Sequence, residues 1–197
     1  MKISLPRNSQ EFNNETLVVL GSSLTALGVI RSCRDNNISS IVINKIYNIA
    51  LMSSIPSEKK FLKKNISKDE VLKEVILSGG KNRCLIATSD KWLCFLYDYR
   101  EEIESAYFRV FHPKNKDLLS CLDKSAFYEW CIKNSLDTPF SVASYNLKDD
   151  FPSNLFPAIA RPIITTSETV GSIPKTYEIF NFQDLSEVKE IYRNSSH

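Results

Sequence analysis

Short apolar runs rich in β-branched residues alternate along this chain with segments whose apolar positions recur every three or four residues. Thr16 to Leu20 reads as a buried strand that ends at Gly21. Gly21-Ser22-Ser23 is a turn. From Leu24 to about Asn36, Leu24, Leu27, Ile30 and Cys33 recur at helical spacing, with Ser23 placed as N-cap. Ile38 to Ile43 is a second strand, so strand, tight turn, helix and strand follow within thirty residues, the opening of a βαβ unit. Residues 44–66 are polar and irregular, with a basic run at Lys59, Lys60, Lys63 and Lys64 that reads as a solvated face. Ser67 with Glu70 three residues on is a capping box for the next helix, whose face carries Val71, Val75 and Ile76 and which Gly79-Gly80 ends. Arg83 to Ala87 is a strand. Asp90 is read as the cap of a helix to about Ser105, and Tyr107 to Phe111 as a strand closed by His112-Pro113. Alternation of this kind with short connections predicts parallel strands joined by right-handed crossovers.

Beyond Pro113 the pattern changes. Asp123 opens a helix with Phe127, Trp130, Cys131 and Ile132 on its apolar side. Phe140 to Tyr145, Phe156 to Ile163 and Thr176 to Phe180 read as strands, Thr165 to Pro174 as a polar loop, and Asp184 to about Arg193 as a last helix. The predicted organisation is a tail over 1–15, a Rossmann-like α/β domain over 16–113 and a small α+β subdomain over 114–197.

Composition narrows the function classes. A chain of 197 residues, 43% hydrophobic and 24% charged, can bury a core without disulfides or metals. A net charge of +2 lacks the basic excess of a nucleic-acid-binding domain. No run approaches the ~20 apolar residues of a membrane span, and the polar opening residues lack a signal peptide's apolar region, so a cytoplasmic location is expected. The five cysteines form no CxxC pair and read as reduced thiols. His112 is the only internal histidine, which leaves a zinc site or a His-dependent triad without partners.

Gly21-x-Ser23-x-x-Ala26 sits where a dinucleotide fingerprint would sit, but only its first glycine is present. The second strand ends Ile43-Asn44-Lys45, with no acid for the ribose hydroxyls. NAD or FAD binding is therefore disfavoured. Tight strand–helix packing, or an anion or small-molecule contact at the turn, both remain open.

Three segments, in order, resemble the N-terminal part of an ATP-grasp ligase of the D-aspartate ligase and carbamoyl-phosphate-synthase-like branch. The first is Leu17-Val-Val-Leu-Gly-Ser-Ser through Ile30-Arg31-Ser32, similar to the pre-ATP-grasp domain. The second is Ala87-Thr88-Ser89-Asp90 leading into a helix. The third combines Asp123-Lys124, Asp137-Thr138-Pro139-Phe140 and Phe156-Pro157-Ala-Ile-Ala-Arg161-Pro162. The resemblance covers residues 17–180 and implies an incomplete ATP-grasp fold after the Rossmann-like domain. It implies ATP and Mg2+ as cofactors and a carboxylate substrate activated as an acyl phosphate before an amine joins it. Lys124 and Arg161 would face the ATP phosphates. Arg161 stands where lysine is usual, and it keeps the charge and can fork two oxygens. Thr165, Thr166 and Ser167 belong to the loop that covers the phosphates in the family, here with a single glycine. Gly21, Ser22, Ser23 and Asp90 would meet the carboxylate substrate at the carboxyl ends of the first domain's strands. From the residues alone, Lys124 reads equally as a solvated surface group and Asp90 as a helix cap. Arg161 reads as a charge inside an apolar strand, which needs a partner.

The resemblance places the adenine-binding hinge and the Mg2+ ligands downstream of residue 197. The expectation is an N-terminal fragment that is inactive by itself, without nucleic-acid or membrane partners and able to form a homodimer. The alternative is a stand-alone small-molecule-binding or protein-interaction module with a Rossmann-like fold.

Overall fold

The computed structural model describes residues 15–112, 122–142, 153–162 and 176–194. The chain divides into two compact units, Met1–Pro113 and Lys114–His197.

The first unit is a parallel five-stranded sheet with helices on both faces. Its strands are β1 (Thr16–Leu20), β2 (Ser39–Asn44), β3 (Glu58–Phe61), β4 (Gly80–Ala87) and β5 (Tyr107–Phe111), in the order β3-β2-β1-β4-β5. Leu20 lies beside Ile43 of β2 and Ala87 of β4, so the central three strands end level. β1 and β2 bury both of their faces. Val19 and Val42 pack with Ala26, Leu27 and Ile30 of α1 (Leu24–Asp35) and with Ala50 and Leu51 of the one-turn α2 (Ile49–Met52). Val18, Leu20, Ile41, Ile43 and Leu85 pack on the other face. There they meet Val71 and Val75 of α3 (Lys68–Leu77), Trp92 and Leu96 of α4 (Asp90–Asp98) and Ile103 of α5 (Arg100–Ala106). Burial on both sides explains why β1 and β2 read as unbroken apolar runs.

Several elements differ from the sequence expectation. The 44–66 stretch holds α2 and the edge strand β3, whose sequence Glu-Lys-Lys-Phe has no apolar run to announce it. Lys60 is not simply solvated, since its ammonium lies 3.8 Å from Glu58 and 4.0 Å from Glu74. An edge strand has one neighbour to satisfy, and charged residues along it discourage further pairing. Leu24 is 73% exposed, and Ala26 takes the buried place on α1. Strand β4 starts at Gly80 rather than Arg83, with an irregularity in its pairing to β5 between Gly80 and Cys84. The helix expected to run from Asp90 to Ser105 breaks at Tyr99, whose φ of −117° and ψ of 34° are not helical. Its cap is Ser89, whose Oγ accepts from Trp92 N at 3.4 Å, and Asp90 is the first helical residue.

The second unit, over its described residues, contains α6 (Lys124–Lys133), a 3-10 turn (Ser153–Leu155), β6 (Ala158–Ala160), β7 (Tyr177–Ile179) and α7 (Phe182–Asn194). β6 and β7 pair antiparallel, and Ile179, Leu185 and Val188 form the local core with Phe156, Ala158 and Tyr177 around it. Asp123 caps α6 by accepting from Ser125 N and Ala126 N, at 2.8 and 3.1 Å. On α6 only Cys131 is buried, while Phe127, Trp130 and Ile132 are exposed, so the expected apolar side is not a core face. α7 starts at Phe182, two residues earlier than expected, because Asn181 Oδ1 accepts from Gln183 N and Asp184 N. Residues 140–142 form no strand, and 143–145 lie outside the described residues.

Candidate functional site

The strand order reverses between β1 and β4. The chain leaves β1 towards β2 and β3, then returns to β4 on the opposite side. In an open parallel sheet, that reversal opens a crevice at the carboxyl ends of the strands. Gly21, Ser22 and Ser23 follow β1 there, and Thr88, Ser89 and Asp90 follow β4.

Gly21 has a φ of +119°, a conformation side chains rarely adopt, and a Cβ on it would run into Thr88 Oγ1. The ladder continues past the strand ends, with Gly21 N donating to Ile43 O and Thr88 N to Leu20 O, both at 2.9 Å. Ser22 is buried. Its Oγ donates to Ile46 O at 2.7 Å and accepts from Asn44 Nδ2 at 2.6 Å. Asn44 Oδ1 accepts from Trp92 Nε1 at 3.1 Å and from Lys45 N at 2.9 Å. The turn thus rests on a bonded polar cluster, and the Ser22 hydroxyl is occupied by the protein itself. Ser23 makes no side-chain bond to the first turn of α1, so that turn's amides carry no side-chain cap. Asp90 is exposed on the first turn of α4. A carboxylate there suits the helix N-terminus but repels an anion, so it fits the cationic or hydroxyl part of a ligand better than a carboxylate.

In the sequence Asn44 stands out only as the strand end without an acid, and nothing pairs it with Trp92. The rule that a buried indole N–H needs an acceptor is the signal that links them.

Lys124 and Arg161 both belong to the second unit. Lys124 is the first residue of α6 and is half-buried. Arg161 is not inside a strand, because β6 ends at Ala160 and the side chain is exposed. The argument from a charge in a strand interior therefore does not apply. An exposed guanidinium one residue past a strand end can meet an anion at little desolvation cost. Thr165, Thr166 and Ser167 lie outside the described residues.

Four cysteines, Cys33, Cys84, Cys94 and Cys131, are free thiols. Burial pushes the Cys33, Cys84 and Cys94 thiols up from their ordinary range, which disfavours the thiolate at neutral pH. Among the described residues no group of three or more His, Cys, Asp or Glu is placed to hold a metal ion, and no helix is long and apolar enough to cross a membrane.

No family model and no curated protein matches the sequence. Solved structures match the fold. An ADP complex of N5-carboxyaminoimidazole ribonucleotide synthetase superposes with a TM-score of 0.64 at 12% identity, over 90% of this chain and 44% of its own. The biotin carboxylase domain of Hydrogenobacter thermophilus 2-oxoglutarate carboxylase, with MgADP and bicarbonate, gives 0.60 at 15% identity, over 92% and 41%. An L-amino acid ligase from Bacillus licheniformis gives 0.59 at 12% identity, over 91% and 43%. The chain thus spans less than half the length of each. These are ATP-grasp ligases matched over their N-terminal part, and the likeness establishes the fold that this chain shares with them.

Proposed function

We propose that this chain is the N-terminal part of an ATP-dependent carboxylate–amine ligase. The observation that carries the reading is the order of its two units. A Rossmann-like parallel sheet is followed by a small α+β unit carrying Asp123-Lys124 and Arg161-Pro162, in the fold of the N-terminal part of ATP-grasp ligases. Residues 16–113 are then the pre-ATP-grasp domain and residues 114–197 the start of the ATP-grasp domain.

In this reading Lys124 and Arg161 hold the ATP phosphates. Two cations meeting the phosphoryl oxygens would stabilise the charge that builds on them during transfer. Thr165, Thr166 and Ser167 would add hydroxyl and amide donors. ATP supplies the phosphoryl group that activates the carboxylate. Mg2+ belongs to the complete reaction, and no step here runs through it. The crevice after β1 and β4 holds the small acid. Gly21 lets it approach the backbone, the uncapped first turn of α1 beyond Ser23 faces the carboxylate, Ser22 fixes the turn, and Asp90 meets a cationic or hydroxyl group. A cytoplasmic setting and a homodimer belong to the same proposal.

The experiment is to express the chain together with the coding sequence that follows residue 197 and to measure ADP release across a panel of carboxylic acids and amines. Acid-dependent ADP release that Arg161→Ala lowers at least tenfold, with unchanged thermal stability, is the expected result. A stop codon directly after residue 197, or full activity in Arg161→Ala, would overturn the reading.

A further inference from the structure

Tyr47 and Phe61 lie at the carboxyl end of the sheet, on the loop after β2 and on the last residue of β3. Their rings meet edge to face with centroids 5.6 Å apart, yet they remain 60% and 55% exposed. Ile46, 63% exposed, precedes Tyr47. Large apolar side chains gathered in water are seldom left so without a ligand or partner. This group adjoins the crevice, because Ser22 ties the loop to the turn after β1. Its Oγ donates to Ile46 O at 2.7 Å, and its carbonyl accepts from Ala50 N at 3.0 Å.

The surrounding charge is positive. Side chains two apart on a strand share a face, which puts Lys59 on the side of Phe61. Lys63 and Lys64 follow directly. Glu58 lies 3.8 Å from Lys60, and Lys63 acts on the nearby Glu70 carboxyl, which leaves Lys59 and Lys64 as the rim. Lys59 and Lys64 are exposed and make no ion pair among the described residues.

We propose that Tyr47 and Phe61 form a platform for the ring of an aromatic carboxylate. The anionic end is held between the lysine rim and the crevice. This deepens the ligase reading and rests on it for the carboxylate, while the aromatic class comes from the platform itself. Rings supply stacking surface, and exposed ammonium groups favour an anion over a neutral molecule.

The test uses the chain of residues 1–197, isotope-labelled on its aromatic rings and titrated with indole-3-acetate, acetate and the neutral indole-3-ethanol. Saturable shifts of the Tyr47 and Phe61 ring signals are expected with indole-3-acetate, about tenfold tighter than with acetate and about fivefold tighter than with indole-3-ethanol. Phe61→Ala and Tyr47→Ala each weaken it about fivefold, Tyr47→Phe leaves it within twofold, and Lys59→Ala with Lys64→Ala removes the preference over the neutral analogue. Equal binding of acetate, unchanged binding in the alanine variants, or ring shifts that depend on protein concentration without a probe would each overturn the platform. The last of these would mark self-association. Loss of the platform beside acid-dependent ADP release in the longer protein would leave the ligase reading standing. Platform binding beside a stop codon after residue 197 would leave a binding module and end the ligase reading.

Discussion

Trp92 Nε1 donates to Asn44 Oδ1 at 3.1 Å across 48 residues of sequence, joining the first turn of α4 to the end of β2. Asn44 passes the bond on to Ser22 Oγ at 2.6 Å. The amide does two jobs at once, accepting from the indole and from Lys45 N and donating to the serine. In dinucleotide-binding sheets the end of this strand carries an acid that points to a ribose. Here the side chain is turned inward and spent on the fold.

Asn44→Asp is expected to destabilise the protein by about 1–3 kcal/mol, the cost of leaving partly buried polar groups mismatched. A carboxylate still accepts from Trp92 but cannot donate to Ser22, and it faces the Ile46 carbonyl, now 3.2 Å from Nδ2, with a like partial charge. A lower urea midpoint with no gain of NAD binding checks it. An Asp variant that binds NAD would show that the crevice is a dinucleotide site after all.

Gly21→Ala meets two separate obstacles, the φ of +119° and contact with Thr88 Oγ1. The substitution is expected to cost roughly 1–3 kcal/mol. Thr88→Ala removes the contact but not the backbone strain, and it loses the 2.9 Å bond from Thr88 Oγ1 to Leu20 O. A double-mutant cycle should therefore show favourable coupling between the two changes and incomplete recovery. Zero coupling in denaturant midpoints would mean that the hydroxyl does not limit the space at Gly21.

Ser67 and Glu70 bond reciprocally. Glu70 N donates to Ser67 Oγ at 3.2 Å, and Ser67 N donates to Glu70 Oε2 at 3.0 Å. The bonds from the Ser67 backbone and hydroxyl hold the Glu70 carboxyl below its ordinary value, with smaller help from Lys63 and Lys73. A lowered folded value means that this contribution is complete above the unfolded carboxyl value of about 4.3 and is lost as pH falls through the folded value. Ser67→Ala should cost about 1 kcal/mol at neutral pH. Its deficit should narrow below pH ~4, without closing, because Glu70 N still needs the hydroxyl after the acid is neutralised. Thermal unfolding of both proteins at neutral and acid pH measures this, and a pH-independent gap would refute it.

The capping box was legible because its signal is local, two residues three apart. β1 and β2 were legible because burial on both faces leaves an apolar run. Elements set by tertiary context left no such mark. β3 is held by its pairing with β2, and its four residues, three of them charged, look like loop. The break at Tyr99 separates α4 from α5 within a segment whose helical propensity is continuous. Leu24 is exposed and Ala26 buried because the side of the first turn of α1 that packs with Val19 and Val42 carries Ala26 and Leu27. At the site, Gly21 and the turn were visible in sequence. The Ser22–Asn44–Trp92 cluster was not, since it assembles residues from three distant segments.

Tyr107 is buried and its hydroxyl donates to Val75 O at 2.7 Å, closing β5 against α3. Burial pushes the phenol well above its ordinary value, with a smaller opposing pull from Arg83. A raised folded value means that the stability is complete below the unfolded value of about 10 and is lost as pH rises towards the folded one. Tyr107→Phe removes one buried hydrogen bond and should cost about 1 kcal/mol at pH ~8. Above pH ~10 the wild type loses about 1.4 kcal/mol per pH unit through this group, and the variant does not. The difference between the two proteins should therefore shrink and reach zero near pH ~11. Lysines and the other tyrosines titrate equally in both and cancel from that difference. Urea unfolding at pH ~8, ~9.5 and ~11 reads it directly, and a constant gap would show that Tyr107 ionises in the folded protein as readily as in the unfolded chain.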